Sequence, residues 1–208
     1  KDVKSFIEEE IKTSMFEKLK ISCEELEKYD GIKRVIMLNR QYRMHPKMGT
    51  FVSKHFYEGK LENGLEEDKF DNRLKDLERK VFAWIDISNK YQEKKKNNSF
   101  YRNIEAKEIA EFIYKHIDSE EAKGKNFGII TFYSSQKDEI FKELANEENK
   151  AYKGQELIVI KDNNYTINDK YKLSNEEGIN EKIRIGSVDA FQGMEFNFVC
   201  LSMVRSND

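Results

Sequence analysis

Short apolar runs alternate with amphipathic helical patterns along this 208-residue chain. The clearest run is FGIITF at 127–132, and an uninterrupted apolar run of this length is typical of a strand covered on both faces. Two further runs follow near the end of the chain, IRIGSVD within 182–189 and FNFVCLSMV at 196–204. Strands that alternate with helices favour an α/β fold, with a mostly parallel sheet flanked by helices.

Periodic apolar positions and capping residues predict four helices. They cover 1–20, a segment that begins at Pro46, Asn103 to about His116, and Ser134 or Ser135 to about Ala145. Pro46 suits a first helical turn, where its missing N–H is not needed, and Asn103 is a good N-cap. The middle two helices are expected to turn these apolar residues inward: Met48, Phe51, Val52 and Phe56 in one, and Ile109, Phe112, Ile113 and Ile117 in the other.

The remaining segments are shorter or more polar. Strands are predicted at 34–39 (RVIMLN) and at 81–87 (VFAWIDI), and ELIVI at 156–160 is a strand candidate. Two polar stretches are interpreted as loops: 60–80, a solvated excursion, and 91–100, which is rich in Lys and Asn. The segment from about 146 to 180 is predicted to be an insertion or a hairpin.

Composition excludes several classes of protein. The chain has 37 Lys and Arg against 39 Asp and Glu, a net charge of −2, so binding to nucleic acid needs a local positive patch. No apolar run approaches the ~20 residues that cross a bilayer, and KDVKSFIEEE is not a signal peptide, so no membrane partner is predicted. With only Cys23 and Cys200, far apart, we predict no disulfide framework and no metal site. The same cysteine usage predicts an intracellular location, cytoplasmic or, in a eukaryote, nuclear.

The sequence QYRMHP, Gln41 to Pro46, lies between a predicted strand and a predicted helix. In α/β folds, loops at the carboxyl ends of strands form the ligand crevice. The Tyr42 ring can stack on a base, and Arg43 offers a fork of donors to phosphate oxygens. The alternative is a plain turn in which Tyr42 packs, Arg43 pairs with a surface carboxylate and His45 is a satisfied polar residue.

A second polar loop, in GIITFYSSQ, follows the strand at 127–132. Thr131, Tyr133 and the two serines after it would present hydroxyl and N–H groups to an anion. Ordinary helix capping explains Ser134 and Ser135 equally well. The lysines of the 91–100 loop would extend a path for nucleic acid, although a run of charge is more often a solvated surface.

A third loop, in SVDAFQGMEF, follows the strand within 182–189. Gly193 allows a ligand to approach the backbone closely, and Glu195 can accept hydrogen bonds from a ribose hydroxyl. Alone, FQG is a weak signal, and the alternative for Glu195 is a solvated carboxylate.

Together, in this order and at these spacings, the three loops resemble the second RecA-like domain of superfamily 1B helicases, the branch that contains the nonsense-mediated-decay helicase and senataxin. QYRMHPKMGTFVSKHFYEGKL is similar to motif IV and its following helix, GIITFYSSQ to the "GIITPYxxQ" segment, SVDAFQGMEFNFVCLSMVRSN to motif V, and SMFEKL to the stretch after motif III. The resemblance covers nearly the whole chain and departs at about 146–180. It implies a RecA-like P-loop NTPase fold, with 1–208 as one domain that lacks its own phosphate loop and ends before motif VI.

The resemblance also gives individual positions a role. It implies that adenine stacks on Tyr42, that the catalytic Arg43 contacts the γ-phosphate, and that Glu195 binds the ribose. Gln41 and Gly193 are implied to belong to the same nucleotide site. It implies contacts with a single strand from Thr131, Tyr133, Ser187 and Asp189. Phe132 stands where the family has proline, and Met194 where it often has a basic residue.

The implied activity is that of an ATP-dependent helicase. The implied partners are single-stranded DNA or RNA and the first RecA-like domain of the same protein, which would hold most of the ATP and its Mg²⁺. The 208 residues contain no GxxxxGK[ST] phosphate loop, so alone they are expected not to hydrolyse ATP. Two alternatives stay open: a helicase-like scaffold that binds nucleic acid or protein without turnover, and an unrelated α/β domain with chance motifs.

Overall fold

The structure is a computed structural model that describes residues 13–70, 74–88, 91–146, 155–175 and 178–205. The chain divides into two compact units, Lys1–Lys69 and Phe70–Asp208, each with its own elements. No helix within the described ranges is both long and apolar enough to cross a lipid bilayer. The assignment of 1–208 to one RecA-like domain stays a prediction.

The first unit contains two helices and a short pair of strands. Helix α1 (Met15–Asp30) begins at Ser14, whose hydroxyl accepts a hydrogen bond from the Glu17 N–H (3.1 Å), and stops at Gly31 in the left-handed conformation (φ 73°). The helix predicted over 1–20 overlaps α1 only from Met15, because α1 continues to Asp30 and residues 1–12 lie outside the described residues.

Helix α2 (Pro46–Phe56) begins at the predicted proline. Strand β1 (Arg40–Gln41) pairs in parallel with β2 (Glu62–Asn63), and a 3₁₀ turn follows at Glu67–Lys69. The predicted inward face of α2 is wrong within this chain. Phe51 and Phe56 are exposed, and the buried residues of the helix are Gly49 and Ser53, because the helix packs on β2 through its small residues.

The strand predicted at 34–39 is also wrong, since regular pairing begins only at Arg40. The N–H groups of Arg34 and Val35 donate to the carboxylate of Glu27 at the end of α1 and are not available for a ladder. Ile36 and Leu38 are exposed. An apolar run becomes a strand only where a neighbouring strand accepts its backbone hydrogen bonds.

The second unit is built on a three-stranded parallel sheet. Its strands are β5 (Phe127–Thr131), β10 (Ile183–Ser187) and β11 (Phe198–Ser202), in the order β10-β5-β11. Helices α3 (Asn103–His116) and α4 (Ser134–Ala145) pack on each other and on the strands. The fully buried side chains come from both layers: Ile113, Ile117, Phe127, Ile129, Ile140, Leu144 and Ile183. These elements confirm the predicted α/β fold with a parallel sheet flanked by helices, which is consistent with a RecA-like domain.

Three antiparallel hairpins surround this sheet. They pair β3 (Lys94–Lys96) with β4 (Ser99–Tyr101), β6 (Ile158–Lys161) with β7 (Asn164–Ile167), and β8 (Lys172–Asn175) with β9 (Gly178–Glu181). The hairpin expected within 146–180 is therefore confirmed, and two are present. The loop predicted at 91–100 is wrong, because Asn97 and Asn98, both at positive φ (47° and 60°), close a tight hairpin.

Three smaller predictions also need correction. The described stretch 74–88 holds no strand at 81–87, where Trp84 is 79% exposed and no ladder partner is present. Asn103 and the serines at 134–135 are first-turn residues, since Arg102 and Tyr133 occupy the N-cap positions. The Asn103 side chain instead donates to the carboxylate of Glu139 on α4.

Candidate functional site

The loop between β1 and α2 is held by the side-chain amide of Gln41. Its Oε1 accepts hydrogen bonds from the backbone N–H groups of Arg43 (2.9 Å) and Met44 (2.7 Å). Its Nε2 donates to the Met44 carbonyl (2.9 Å) and to Oδ1 of Asn63 (2.7 Å). The amide of Gln41 thus fixes the course of the predicted nucleotide loop, and a direct contact between Gln41 and nucleotide stays a prediction.

Asn63 joins this loop to α2. Its Nδ2 donates to the Pro46 carbonyl (3.2 Å) and to the Thr50 hydroxyl (3.3 Å). The helix comes close enough to do so because residue 49 is glycine: a Cβ there would lie 2.0 Å from Oδ1 of Asn63 and 2.7 Å from Nε2 of Gln41. The loop is therefore locked to both strands and to the helix before any ligand binds.

The Tyr42 ring lies against Gly64, which follows β2. A Cβ on Gly64 would meet the ring carbons at 2.4–2.8 Å, so only glycine allows this position of the ring. Tyr42 is nevertheless 59% exposed. One part of the ring rests on backbone and the rest is open to solvent, which is the form of a stacking platform.

Two arginines lie close to Tyr42 in the sequence. Arg43, the next residue, is exposed, and its backbone is fixed by Gln41. Arg40 lies on the other side along the chain, where the Glu62 carboxylate (3.2 Å) and the Tyr42 phenol raise the pKa of the Arg40 guanidinium. The arrangement offers an aromatic face flanked by arginines to an anionic, aromatic ligand.

His45 has a structural role at the start of α2. It is buried, and its Nδ1 accepts a hydrogen bond from the Lys47 N–H (3.2 Å), so the imidazole caps the helix. Its Nε2 lies 3.8 Å from the Glu67 carboxylate. The capping bond accounts for Nδ1, while the separation of Nε2 from Glu67 is longer than a hydrogen bond.

The predicted strand-binding residues of the second unit lie at the carboxyl edge of its sheet. Thr131 and Ser187 are register partners at the ends of β5 and β10. Asp189 follows and is exposed, in the 3₁₀ turn Val188–Phe191. Parallel pairing brings the carboxyl ends of strands to one edge, so the structure places these three residues together.

Thr131 and Tyr133 differ in what they present to solvent. Thr131 is fully buried, and its hydroxyl accepts a hydrogen bond from the Tyr133 N–H (3.3 Å). Tyr133 is half-buried, with its ring edge-on to Phe100 of β4 at 5.7 Å between centroids. Thr131 therefore positions the loop that carries Tyr133, and a contact of its own with nucleic acid stays a prediction.

A cleft of about 560 Å³ opens at this edge. Its walls are the hairpin turn at 97–99, the loop and first helical turn at 132–137, and the end of β10 with the residues after it. Tyr133 and Ser187 both line it, together with Asn97, Asn98 and Lys137. The sequence contained a signal for the turn, since two asparagines between short runs favour a tight hairpin, but the loop interpretation missed it.

A buried polar network lies behind the first turn of α4. Gln136 is fully buried, and its Oε1 accepts from the Arg102 N–H (2.7 Å) while its Nε2 donates to the Arg102 carbonyl (3.3 Å) and to the Ser202 hydroxyl (3.0 Å). The Ser202 hydroxyl in turn donates to the Glu105 carboxylate (2.7 Å). The network joins α4, α3 and β11, and sequence reasoning did not predict it.

Gly193 and Glu195 follow the 3₁₀ turn of the second unit. Gly193 adopts φ 78°, a left-handed conformation that favours glycine, and a Cβ would meet no atom within 4 Å. Glu195 is exposed. Gln41, Tyr42 and Arg43 belong to the first unit, so the convergence of these five residues on one nucleotide stays a prediction.

Comparison with known proteins adds a family to this geometry. The family described as an AAA domain (AAA_12) matches residues 11–208. The chain is 30% identical over 181 residues to "Regulator of nonsense transcripts 1 homolog" of Drosophila melanogaster, which covers 84% of this chain and 13% of that protein. It is 28% identical over 180 residues to "Helicase SEN1" of Saccharomyces cerevisiae (83% of this chain, 7% of that protein).

A third relative, "ATP-dependent helicase upf1" of Schizosaccharomyces pombe, is 30% identical over 177 residues (81% of this chain, 16% of that protein). The chain therefore spans less than a fifth of the length of these relatives. The matches confirm the resemblance to superfamily 1B helicases that the three loops indicate.

Proposed function

Because this chain belongs to the AAA_12 family of AAA domains, we propose that it is the second RecA-like motor domain of an ATP-dependent helicase that moves along single-stranded DNA or RNA. The observation that carries the proposal is the exposed Tyr42 ring, seated on Gly64 and followed by Arg43 in a loop locked by Gln41. A stacking face beside a guanidinium matches the base and the phosphates of a nucleotide.

In this proposal Tyr42 stacks on adenine, Glu195 accepts hydrogen bonds from ribose, and Gly193 lets the nucleotide approach the backbone. Gln41 acts mainly through the loop, since its amide already makes four hydrogen bonds. Most of the ATP and its Mg²⁺ are bound by the first RecA-like domain, because the 208 residues contain no phosphate-loop sequence.

Arg43 is the proposed catalytic residue. Phosphoryl transfer spreads negative charge over the γ-phosphate oxygens, and an arginine supplied from a facing surface stabilises that charge by roughly 10³–10⁵ in rate. Arginine suits this task better than lysine because its planar fork meets two oxygens at once. The Gln41 amide fixes the Arg43 backbone in advance, so only the side chain has to be ordered when the two domains close.

The cleft at the carboxyl edge of the second sheet is the proposed contact with the single strand. Tyr133, Ser187 and Asp189 meet the strand from the loop, from β10 and from the 3₁₀ turn, while Thr131 holds the loop in place. ATP binding closes the two domains on the strand and hydrolysis releases it, which couples turnover to movement.

The test is Arg43→Ala in a protein that joins this chain to its first domain. We expect hydrolysis stimulated by nucleic acid to fall by at least 10³-fold, while the Kd for a single strand changes little. Arg79→Ala, an exposed arginine in the second unit, is the matched control and should leave both quantities unchanged.

Loss of strand binding with hydrolysis preserved would contradict the roles assigned here. Strand binding with no turnover in the unaltered protein would instead indicate the scaffold alternative. Turnover by the 208 residues alone would refute the division of labour between two domains.

A further inference from the structure

We propose that the β3–β4 hairpin, Lys94–Tyr101, is a phosphate-binding wall of the single-strand path. The inference rests on the proposed function and adds to it a contact element with its own residues, the lysines at 94–96. None of the strand contacts assigned above lies on this hairpin.

The hairpin turn faces the same space as the assigned strand contacts. Asn97 and Asn98 line the cleft together with Tyr133 and Ser187. Both asparagines adopt left-handed φ angles, so the turn matches the natural twist of the two strands and brings the strands up to the rim. Whatever occupies the cleft against Tyr133 and Ser187 also lies against this turn.

One side of the hairpin is hydrogen-bonded to α4. The Ser135 N–H donates to the Ser99 hydroxyl (3.1 Å), and the Ser135 hydroxyl donates to the Lys96 carbonyl (3.0 Å). Ser99 and Ser135 are both buried. These bonds fix the hairpin to the first turn of the helix that carries Lys137 into the cleft.

The other side of the hairpin is held by Phe100. Its ring meets the edge of Tyr133 (5.7 Å) and lies under the Arg205 guanidinium (5.1 Å from carbon to centroid). The residue before Arg205, Val204, adopts an unusual φ of 67°. The Val204 N–H donates a hydrogen bond to the Glu105 carboxylate (3.0 Å), which holds the backbone that leads to Arg205. A hairpin anchored on both faces loses little freedom when it binds, which favours affinity.

The charge of the hairpin is positive and available. Lys94, Lys95 and Lys96 are exposed, and none forms an ion pair within 4 Å in the part of the chain that the structure describes. The one acidic residue of 91–101, Glu93, lies 3.9 Å from Arg205. In a chain of net charge −2, this run is the kind of local patch that binding to nucleic acid needs.

The chemistry favours a sugar–phosphate strand over an acidic protein. Phe132 is exposed and lines the cleft next to Tyr133, so aromatic surface adjoins amides, hydroxyls and lysines. Stacking surface combined with a positive groove is the usual way to bind a single strand without reading its sequence.

The test measures binding of the 208-residue chain to fluorescein-labelled oligothymidylate and oligouridylate of about 20 nucleotides, longer than one binding site. Fluorescence anisotropy gives the Kd at several salt concentrations for the unaltered chain and for Lys94→Gln/Lys95→Gln/Lys96→Gln. The control, Lys161→Gln/Lys170→Gln/Lys172→Gln, removes the same charge from exposed positions on the other hairpins and their connection.

We expect the triple variant at 94–96 to lower the slope of log K against log salt by about 0.7–1.4. Successive strand residues point to opposite faces, so one or two of the three lysines meet a strand on one side, and each phosphate contact contributes about 0.7. At 0.1 M salt this corresponds to roughly fivefold weaker binding for one such contact and about 25-fold for two. The control should change Kd by less than about threefold.

A second variant, Asn97→Asp/Asn98→Asp, keeps residues that tolerate positive φ but adds negative charge to the wall of the cleft. It should weaken binding without changing the circular dichroism spectrum. If the unaltered chain binds and neither variant weakens it beyond the control, the inference is overturned while the proposed function stands. If the unaltered chain binds neither oligonucleotide, both fail.

Discussion

Replacement of Gln136 tests whether the carboxyl edge of the sheet depends on the buried polar network. The change is Gln136→Leu, which keeps nearly the same volume and removes three hydrogen bonds: one accepted from the Arg102 N–H and two donated, to the Arg102 carbonyl and the Ser202 hydroxyl. Gln136 is fully buried, so water cannot replace these partners.

The magnitude follows from these contacts. Three neutral hydrogen bonds contribute about 1 kcal/mol each, and leaving the buried Arg102 N–H without an acceptor costs a further ~1–3 kcal/mol. The free energy of unfolding of the second unit should therefore fall by about 4–6 kcal/mol, a large part of the ~5–15 kcal/mol that holds a typical domain together. Because leucine fills the space, little of this loss comes from a cavity.

The assay is urea unfolding followed by circular dichroism at the helix band, with Gln92→Leu as the matched control. Gln92 is exposed, and its replacement should shift the free energy by no more than about 0.5 kcal/mol. A loss below about 1 kcal/mol for Gln136→Leu would show that the network contributes little, and the stabilising role assigned to it would then be wrong.

Two further predictions concern single positions. Gly64→Ala places a Cβ 2.4 Å from the Tyr42 ring, so the ring must move away from Gly64. In the two-domain protein, the KM for ATP should then rise several-fold while strand binding stays unchanged. An unaltered KM would show that Tyr42 is not part of the nucleotide site. Partial burial acts to raise the pKa of Asp76, but Lys115 (2.7 Å) and His116 (2.9 Å) outweigh it and lower that pKa below its usual value. The Asp76 carboxylate therefore stabilises the fold above its unfolded pKa of about 4, and this contribution disappears as the pH falls through the folded pKa. The urea unfolding midpoints of the unaltered chain and of Asp76→Asn should differ at pH 7 and converge as the pH is lowered. A difference that stays constant with pH would contradict this role of Asp76.

The parallel sheet was predictable because its strands are buried on both faces. Phe127, Ile129 and Ile183 belong to apolar runs that only a covered strand explains, and those runs became β5 and β10. The runs at 34–39 and 81–87 have similar composition, yet neither is a strand, since a run also needs a neighbour to accept its hydrogen bonds. The composition of a run describes a single segment, whereas strand pairing also depends on a second segment, so composition alone does not predict it.

Some contacts of the candidate site were likewise predictable from the sequence, and others were not. The proximity of Thr131 and Ser187 followed from one rule, that parallel strands end at a common edge. The seat of Tyr42 on Gly64 joins residues far apart in sequence, and nothing near either residue predicts it. The hairpin at 94–101 was missed because its strands are rich in lysine, so the asparagine turn was its main local signal.

The position of positive charge on this chain affects how a helicase of the proposed kind would bind and release a single strand of nucleic acid. A domain with a large positive excess would bind a strand in every state of its cycle, because counterion release does not depend on domain closure. This chain has a net charge of −2 and carries three exposed lysines beside one cleft, on a hairpin anchored by Ser135 and Arg205. The contribution of these lysines to affinity is the same in the open and closed states, so release at each step must come from the contacts that closure adds and opening removes. Moving the three lysines of the hairpin elsewhere on the surface, at constant net charge, should therefore weaken binding by a similar factor in the open state and in the closed, ATP-bound state.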